Sequence, residues 1–283
     1  MISRIVLILV LTGLLAGCGS SGSSGRSVVA AFYPLAYAAE RIGGPAYHVE
    51  NLTPPGAEPH DLELTPREVG RIVNADVVLY LSHGFQPAVS KAVDEAHGLK
   101  ADVLAGLPLH RSIGGEGGLT ADPHVWLDPI LFARVAKKIG AALHRPSTGL
   151  VRELRHLDRE YRDGLRSCER REIVTSHAAF GYLAARYGLR QIAITGATPE
   201  SEPSARQLGH VVKVVRRTHA TTVFFETLVS PRLARTVARE VGAHTAVLDP
   251  IEGVTPDEQK RGDDYFTLMR RNLEALRTAL ACR

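Results

Sequence analysis

Cysteine is scarce. Three in 283 residues are too few for a scaffold built from disulfides. Charge of either sign is nearly balanced, 34 Lys plus Arg against 30 Asp plus Glu. The basic isoelectric point therefore rests on a surplus of only four and gives no nucleic-acid footprint by itself. No GxxxxGK[ST] occurs and no Rossmann glycine triplet follows the first strand, so nucleotide binding is poorly supported. HExxH is missing too, which excludes the zincins but not every metal hydrolase. What is present, 45% apolar and 23% charged residues, is ordinary globular composition with enough chain for one large domain or two of about 120 residues.

The N-terminus reads as a processing segment. Arg4 precedes the apolar stretch Ile5 to Ala16, too short for a mature membrane helix of roughly 20 residues. Leu15-Ala16-Gly17-Cys18 follows and resembles a bacterial lipobox, which implies a signal peptide over 1–17 and lipid on Cys18. The Gly/Ser tract after it reads as a flexible tether through residue 27. Cys168 and Cys282 then remain as a pair outside the cytosol, where disulfides persist. A bond between them would staple the C-terminus to the start of the second half, with two buried thiols as the alternative.

The mature chain alternates strands and helices. Strand patterns fall at Val28 to Tyr33, Tyr47 to Leu52, Ala75 to Leu81, Ala101 to Leu104, Glu172 to Thr175, Gln191 to Thr195, Thr221 to Glu226 and His244 to Leu248. Thr65-Pro66-Arg67-Glu68 and Thr255-Pro256-Asp257-Glu258 are helix starts with capping boxes, and Asp128-Pro129 and Ser230-Pro231 offer a cap and a proline. Strands followed by helices imply parallel sheets covered on both faces. Leu150, Leu154, Leu157, Tyr161 and Leu165 form one apolar stripe on a charge-rich helix. The expected fold class is α/β: two small parallel-sheet lobes, 28–144 and 168–283, joined by a long connecting helix within 145–167.

Twelve histidines need sorting. Most sit singly, and a surface or hydrogen-bonded role is their default. His60 follows the proline-restricted run Thr53 to Pro59, His124 sits in Asp122-Pro123-His124-Val125-Trp126-Leu127-Asp128-Pro129, and His177 lies between a strand and a helix. Asp249 ends the last strand before Pro250. Parallel sheets place ligands beyond the carboxyl ends of their strands. Three imidazoles and a carboxylate brought together there would form a closed tetrahedral set for a borderline-soft divalent ion, zinc first. Nonlocal residues have no diagnostic spacing, so four polar loop residues satisfying backbone groups remain the alternative.

Several separate segments carry a family resemblance: Ala30-Ala31-Phe32-Tyr33-Pro34, Pro54-Pro55-Gly56-Ala57-Glu58-Pro59-His60-Asp61, Asp122 to Pro129, Thr175-Ser176-His177-Ala178-Ala179-Phe180-Gly181-Tyr182, Phe225-Glu226 and Leu248-Asp249-Pro250. From about Val28 to Cys282 the chain resembles the solute-binding lipoproteins of zinc and manganese ABC importers. The resemblance implies metal ligands at His60, His124, His177 and Asp249 in an inter-lobe cleft. It also implies capture of Zn2+ as transported ligand, and delivery to an ABC permease with its cytoplasmic ATPase. Localisation would be the extracytoplasmic face of the membrane or the periplasm, as a monomer that is not an enzyme and binds no nucleic acid.

Manganese-preferring relatives tend to carry Glu where His177 stands, so imidazole there favours Zn2+ over Mn2+. Asp61, Glu58 and Glu226 are candidates to orient the rings. An adhesin on the same fold and a zinc-dependent hydrolase using a metal-bound water are the other readings. Two features depart from the family pattern: the stretch Leu109 to Ala121 has only His110 where relatives often carry a His-rich loop, and the connector, 19 residues from Gly149 to Ser167, is short.

Overall fold

In a computed structural model, residues 25–112, 119–199 and 203–283 are described. The expected signal peptide, Cys18 and most of the expected tether lie outside them, as does the middle of the Leu109 to Ala121 stretch. Among the described residues eight strands form, each overlapping a run marked by sequence patterning, the fourth beginning two residues earlier than expected. In the first lobe β1 (Arg26–Ala30), α1 (Tyr33–Gly43), β2 (Tyr47–Asn51), α2 (Pro66–Asn74), β3 (Val77–Tyr80), α3 (Pro87–Asp94) and β4 (Leu99–Asp102) alternate, and α4 (Pro129–Ala142) follows. Next comes α5 (Thr148–Gly164). The second lobe holds β5 (Glu172–Thr175), α6 (Gly181–Tyr187), β6 (Arg190–Ala193), α7 (Ala205–Thr218), β7 (Thr222–Phe225), α8 (Arg232–Val241), β8 (His244–Val247), α9 (Pro256–Arg261) and α10 (Tyr265–Leu280).

Both sheets are parallel and share one topology, β2-β1-β3-β4 and β6-β5-β7-β8. The first connection of each lobe runs to one side and the next to the other. Each sheet therefore has a switch point between its two central strands, where a crevice opens at the carboxyl ends.

Local chemistry accounts for most element boundaries. Thr65 and Thr255 close capping boxes with Glu68 and Glu258, and Asp128 accepts from the amides of Ile130 and Leu131. The strand expected through Tyr33 stops at Ala30, because Pro34 pre-sets the first turn of α1. At Ser230-Pro231 the expected cap shifts: α8 starts at Arg232 after Pro231, with the Ser230 hydroxyl accepting from the Arg232 amide at 3.4 Å.

The stripe on α5 is buried as its periodicity demands. Leu154, Leu157 and Tyr161 are fully enclosed, and the Tyr161 hydroxyl donates to the Met269 carbonyl of α10 at 2.6 Å. The helix is 17 residues, about 25 Å at 1.5 Å per residue. Its Asp158 accepts from the Tyr187 hydroxyl and pairs with Arg162, while Arg186 of α6 pairs with Asp128 at the head of α4. One apolar cluster runs from β1 and β3 through Trp126 and α5 to Tyr265, Met269 and Leu276 of α10. A smaller one lies between the second sheet and helices α7 and α8.

Cys168 and Cys282 form a disulfide across 114 positions, pinning the end of α10 to the chain just after α5. Replacing both by serine is expected to lower stability by about 2–4 kcal/mol, because the open chain regains loop entropy. Urea unfolding monitored by circular dichroism measures this; a midpoint unchanged by the double substitution would contradict it.

Candidate metal centre

Each candidate histidine leaves the carboxyl edge of a sheet. His60 is carried by the proline-rich loop after β2, His124 by the segment leading into α4, and His177 by the turn immediately after β5. The structure brings the three together, 6%, 0% and 0% exposed. Their acidic companion is Glu252, fully buried, which the sequence reading did not single out.

Glu252 Oε1 lies 3.3 Å from His60 Nε2, 2.9 Å from His124 Nε2 and 3.5 Å from His177 Nε2, and the last two nitrogens are 3.4 Å apart. One ligand atom from each residue fits within 4.8 Å of all the others. Donors held about 2.0–2.1 Å from a central zinc in a tetrahedron are about 3.3 Å from one another, so these spacings suit that ion. Glu252 Oε2 is buried without a hydrogen-bond partner among the described residues, a cost that a cation bound to this carboxylate would relieve.

Asp249 occupies a different place. Its Oδ1 accepts from the Ile251 amide at 2.7 Å and its Oδ2 from the Thr227 hydroxyl at 3.3 Å. The side chain thus closes a local turn, and burial pushes its carboxyl up to about 7. Ile251 adopts a left-handed conformation, φ +56°, which reverses the chain and sends Glu252 toward the histidines. The acid nearest the strand end shapes the turn, and the acid three residues on enters the cluster. The signal available in sequence was the framing of Glu252 by Pro250 and Gly253.

The carboxylates behind the rings set their orientation. Asp122 Oδ1 meets His124 Nδ1 at 2.7 Å and also accepts from the His124 amide. Glu226, at the end of β7, meets His177 Nδ1 at 2.6 Å. With Nδ1 held by a carboxylate, each Nε2 faces Glu252: protonated it donates to that carboxylate, and deprotonated it offers a lone pair to a metal. Of the expected orienting groups, Glu226 does this, Glu58 accepts from the His60 amide, and Asp61 is exposed. Asp122 was missed because its two-residue spacing from His124 also fits a simple turn.

These contacts govern the protonation balance. Burial opposes a charge on His177, but Glu226 and Glu252 outweigh it and hold its pKa well above the usual histidine range. His124 is raised in the same way, burial being outweighed by Asp122 and Glu252. His60, with one carboxylate partner, is lowered by burial. Burial also opposes charge on Glu252, yet His60 and the other two imidazoles hold it well below the carboxylate range.

The sequence model described as "Zinc-uptake complex component A periplasmic" matches residues 28–279. The high-affinity zinc uptake system protein ZnuA of Bacillus subtilis is 32% identical, with 94% of each chain covered. The laminin-binding protein Lmb of Streptococcus agalactiae, described as bifunctional with adhesin and metal-transporting activity, superposes with a TM-score of 0.81 at 30% identity over 90% of this chain and all of Lmb. The Zn(II)-bound ZnuA-like domain of Streptococcus pneumoniae AdcA superposes with a TM-score of 0.76 at 31% identity, over 90% of this chain and 99% of the domain. The chain spans 55% of the length of the full AdcA lipoprotein. A match over nearly the whole folded region, in sequence and in structure, places the chain in the ZnuA family of zinc-uptake solute-binding proteins.

Proposed function

We propose that the protein captures Zn2+ outside the cytoplasm through His60 Nε2, His124 Nε2, His177 Nε2 and the Glu252 carboxylate, and hands it to an ABC permease. The observation that carries this reading is the convergence of three imidazole nitrogens on one buried carboxylate at tetrahedral spacing. Three nitrogens and one oxygen suit zinc better than manganese, which favours oxygen-rich six-coordinate sites. A bound Zn2+ would leave a net +1 with Glu252, and Asp122 and Glu226 behind the rings make those nitrogens better donors. Lipid on Cys18 would keep the body close to the permease.

The other readings lack the feature each requires. A hydrolase needs an open coordination position for water, and the fourth protein ligand closes this set. An adhesin calls for extended apolar surface; among the described residues the large exposed apolar side chains are Leu99 and Val247, on edge strands of separate sheets.

Competitive titration of chelator-stripped protein with Zn2+ and Mn2+ is expected to give one ion per chain with zinc preferred. A stoichiometry of two, or preference for manganese, would overturn the assignment. Glu252→Gln is expected to weaken zinc by about 100-fold or more, since a buried ionic partner is lost. Asp249→Asn keeps an acceptor for the Ile251 amide and should retain most of the affinity. The reverse order would return Asp249 to the ligand set.

Zinc binding requires unprotonated Nε2 atoms on His124 and His177, whose pKa values are raised. Affinity is therefore expected to climb with pH throughout the neutral range and to be lost on acidification, with protons released on binding. Titrations between about pH 5.5 and about pH 8 in buffers of different ionisation enthalpy test this. A pH-independent affinity would show that protons do not compete for these nitrogens.

A further inference from the structure

Resting on the ligand set above, we propose that the Trp126 indole N–H is a positioning group that fixes Glu252 against the histidines from the opposite lobe. Trp126 lies two residues after His124, and its Nε1 donates to the Pro250 carbonyl at 2.7 Å. Pro250 is two residues before Glu252. One hydrogen bond thus ties the segment bearing a first-lobe ligand to the turn bearing a second-lobe ligand.

The turn needs such a tie. Ile251, a β-branched residue, is held at φ +56°, a left-handed conformation that such residues avoid. Left to itself it would relax, and Glu252 would swing away from the three Nε2 atoms. Two groups of the second lobe restrain the turn at its start: the Asp249 carboxylate on the Ile251 amide, and Asn272 of α10, which accepts from the Asp249 amide at 2.8 Å and donates to the Asp249 carbonyl at 2.6 Å. Both act within the second lobe. The Trp126 bond to Pro250 reaches across from the first.

Trp126 is itself immobilised. It is 2% exposed, its carbonyl accepts from the Tyr265 hydroxyl at 2.6 Å, and its ring packs edge-on to Phe32. Its indole N–H is buried with the ring, so opening the bond costs that donor its acceptor. The occupied cluster would then keep Glu252 close to its bound distance, and zinc would leave only after this bond opens.

Trp126 is the one tryptophan in 283 residues, so residue-wide replacement by its benzothiophene isostere removes the donor while keeping shape. Zinc release into excess chelator should be measured for the isostere and for Trp126→Phe, each with Glu252 and with Glu252→Gln, alongside urea midpoints. We expect release to quicken about 3- to 10-fold when the donor is lost, and this gain to shrink toward unity with Glu252→Gln. An equal acceleration in both backgrounds, or none with Glu252 present, overturns the proposal even where Glu252→Gln weakens zinc. Unchanged zinc affinity in Glu252→Gln alone refutes the ligand set instead. Should Trp126→Phe fail to fold, the isostere decides.

Discussion

A carboxylate with no exposed surface, facing three imidazoles, is the constraint on which the structure turns. Burying Glu252 is costly unless positive charge or donors surround it, and three ring nitrogens stand within 3.5 Å of its Oε1. Those nitrogens come from loops far apart in the chain, so the fold must hold both sheet edges against each other for the charge to be tolerated. The parallel topology does this economically. Every candidate ligand follows a strand, and carboxyl ends of two sheets with the same strand order meet at one seam.

The orienting carboxylates extend that logic outward. Asp122 and Glu226 each sit behind one ring, leaving the inner nitrogens free to face the centre. Among the described residues His60 has no such carboxylate on Nδ1, and burial lowers its pKa where those of the other two rise. The three rings are therefore chemically unequal: His124 and His177 hold protons more tightly than an ordinary histidine, and His60 less tightly.

Much of this was legible in the sequence, for identifiable reasons. Branched runs marked six of the eight strands well and β2 and β4 only weakly, and threonine-proline punctuation with Glu at the third helical position marked α2 and α9, since both signals are local. The histidines His60, His124 and His177 stood out through the prolines and strand ends around them. Glu252 did not, because its selection over Asp249 depends on the sign of one backbone angle at Ile251 and on Asn272, more than twenty residues downstream. Asp122 was hidden similarly, its partner ring lying in a segment that reads as a plain loop. The capping boxes are decided within four residues, whereas the choice of acid was decided by tertiary packing.

The apolar cluster that passes without interruption from β1 through α5 to α10 carries a consequence for cargo exit. Swinging the halves apart as rigid bodies would expose side chains such as Phe32, Trp126, Leu157 and Tyr265 to water, each at roughly 1.5–3 kcal/mol. Rearranging the short loops at the sheet edges avoids that exposure. The molecule is built less like a clamshell than like a socket, whose rim gives way while its walls stay in place.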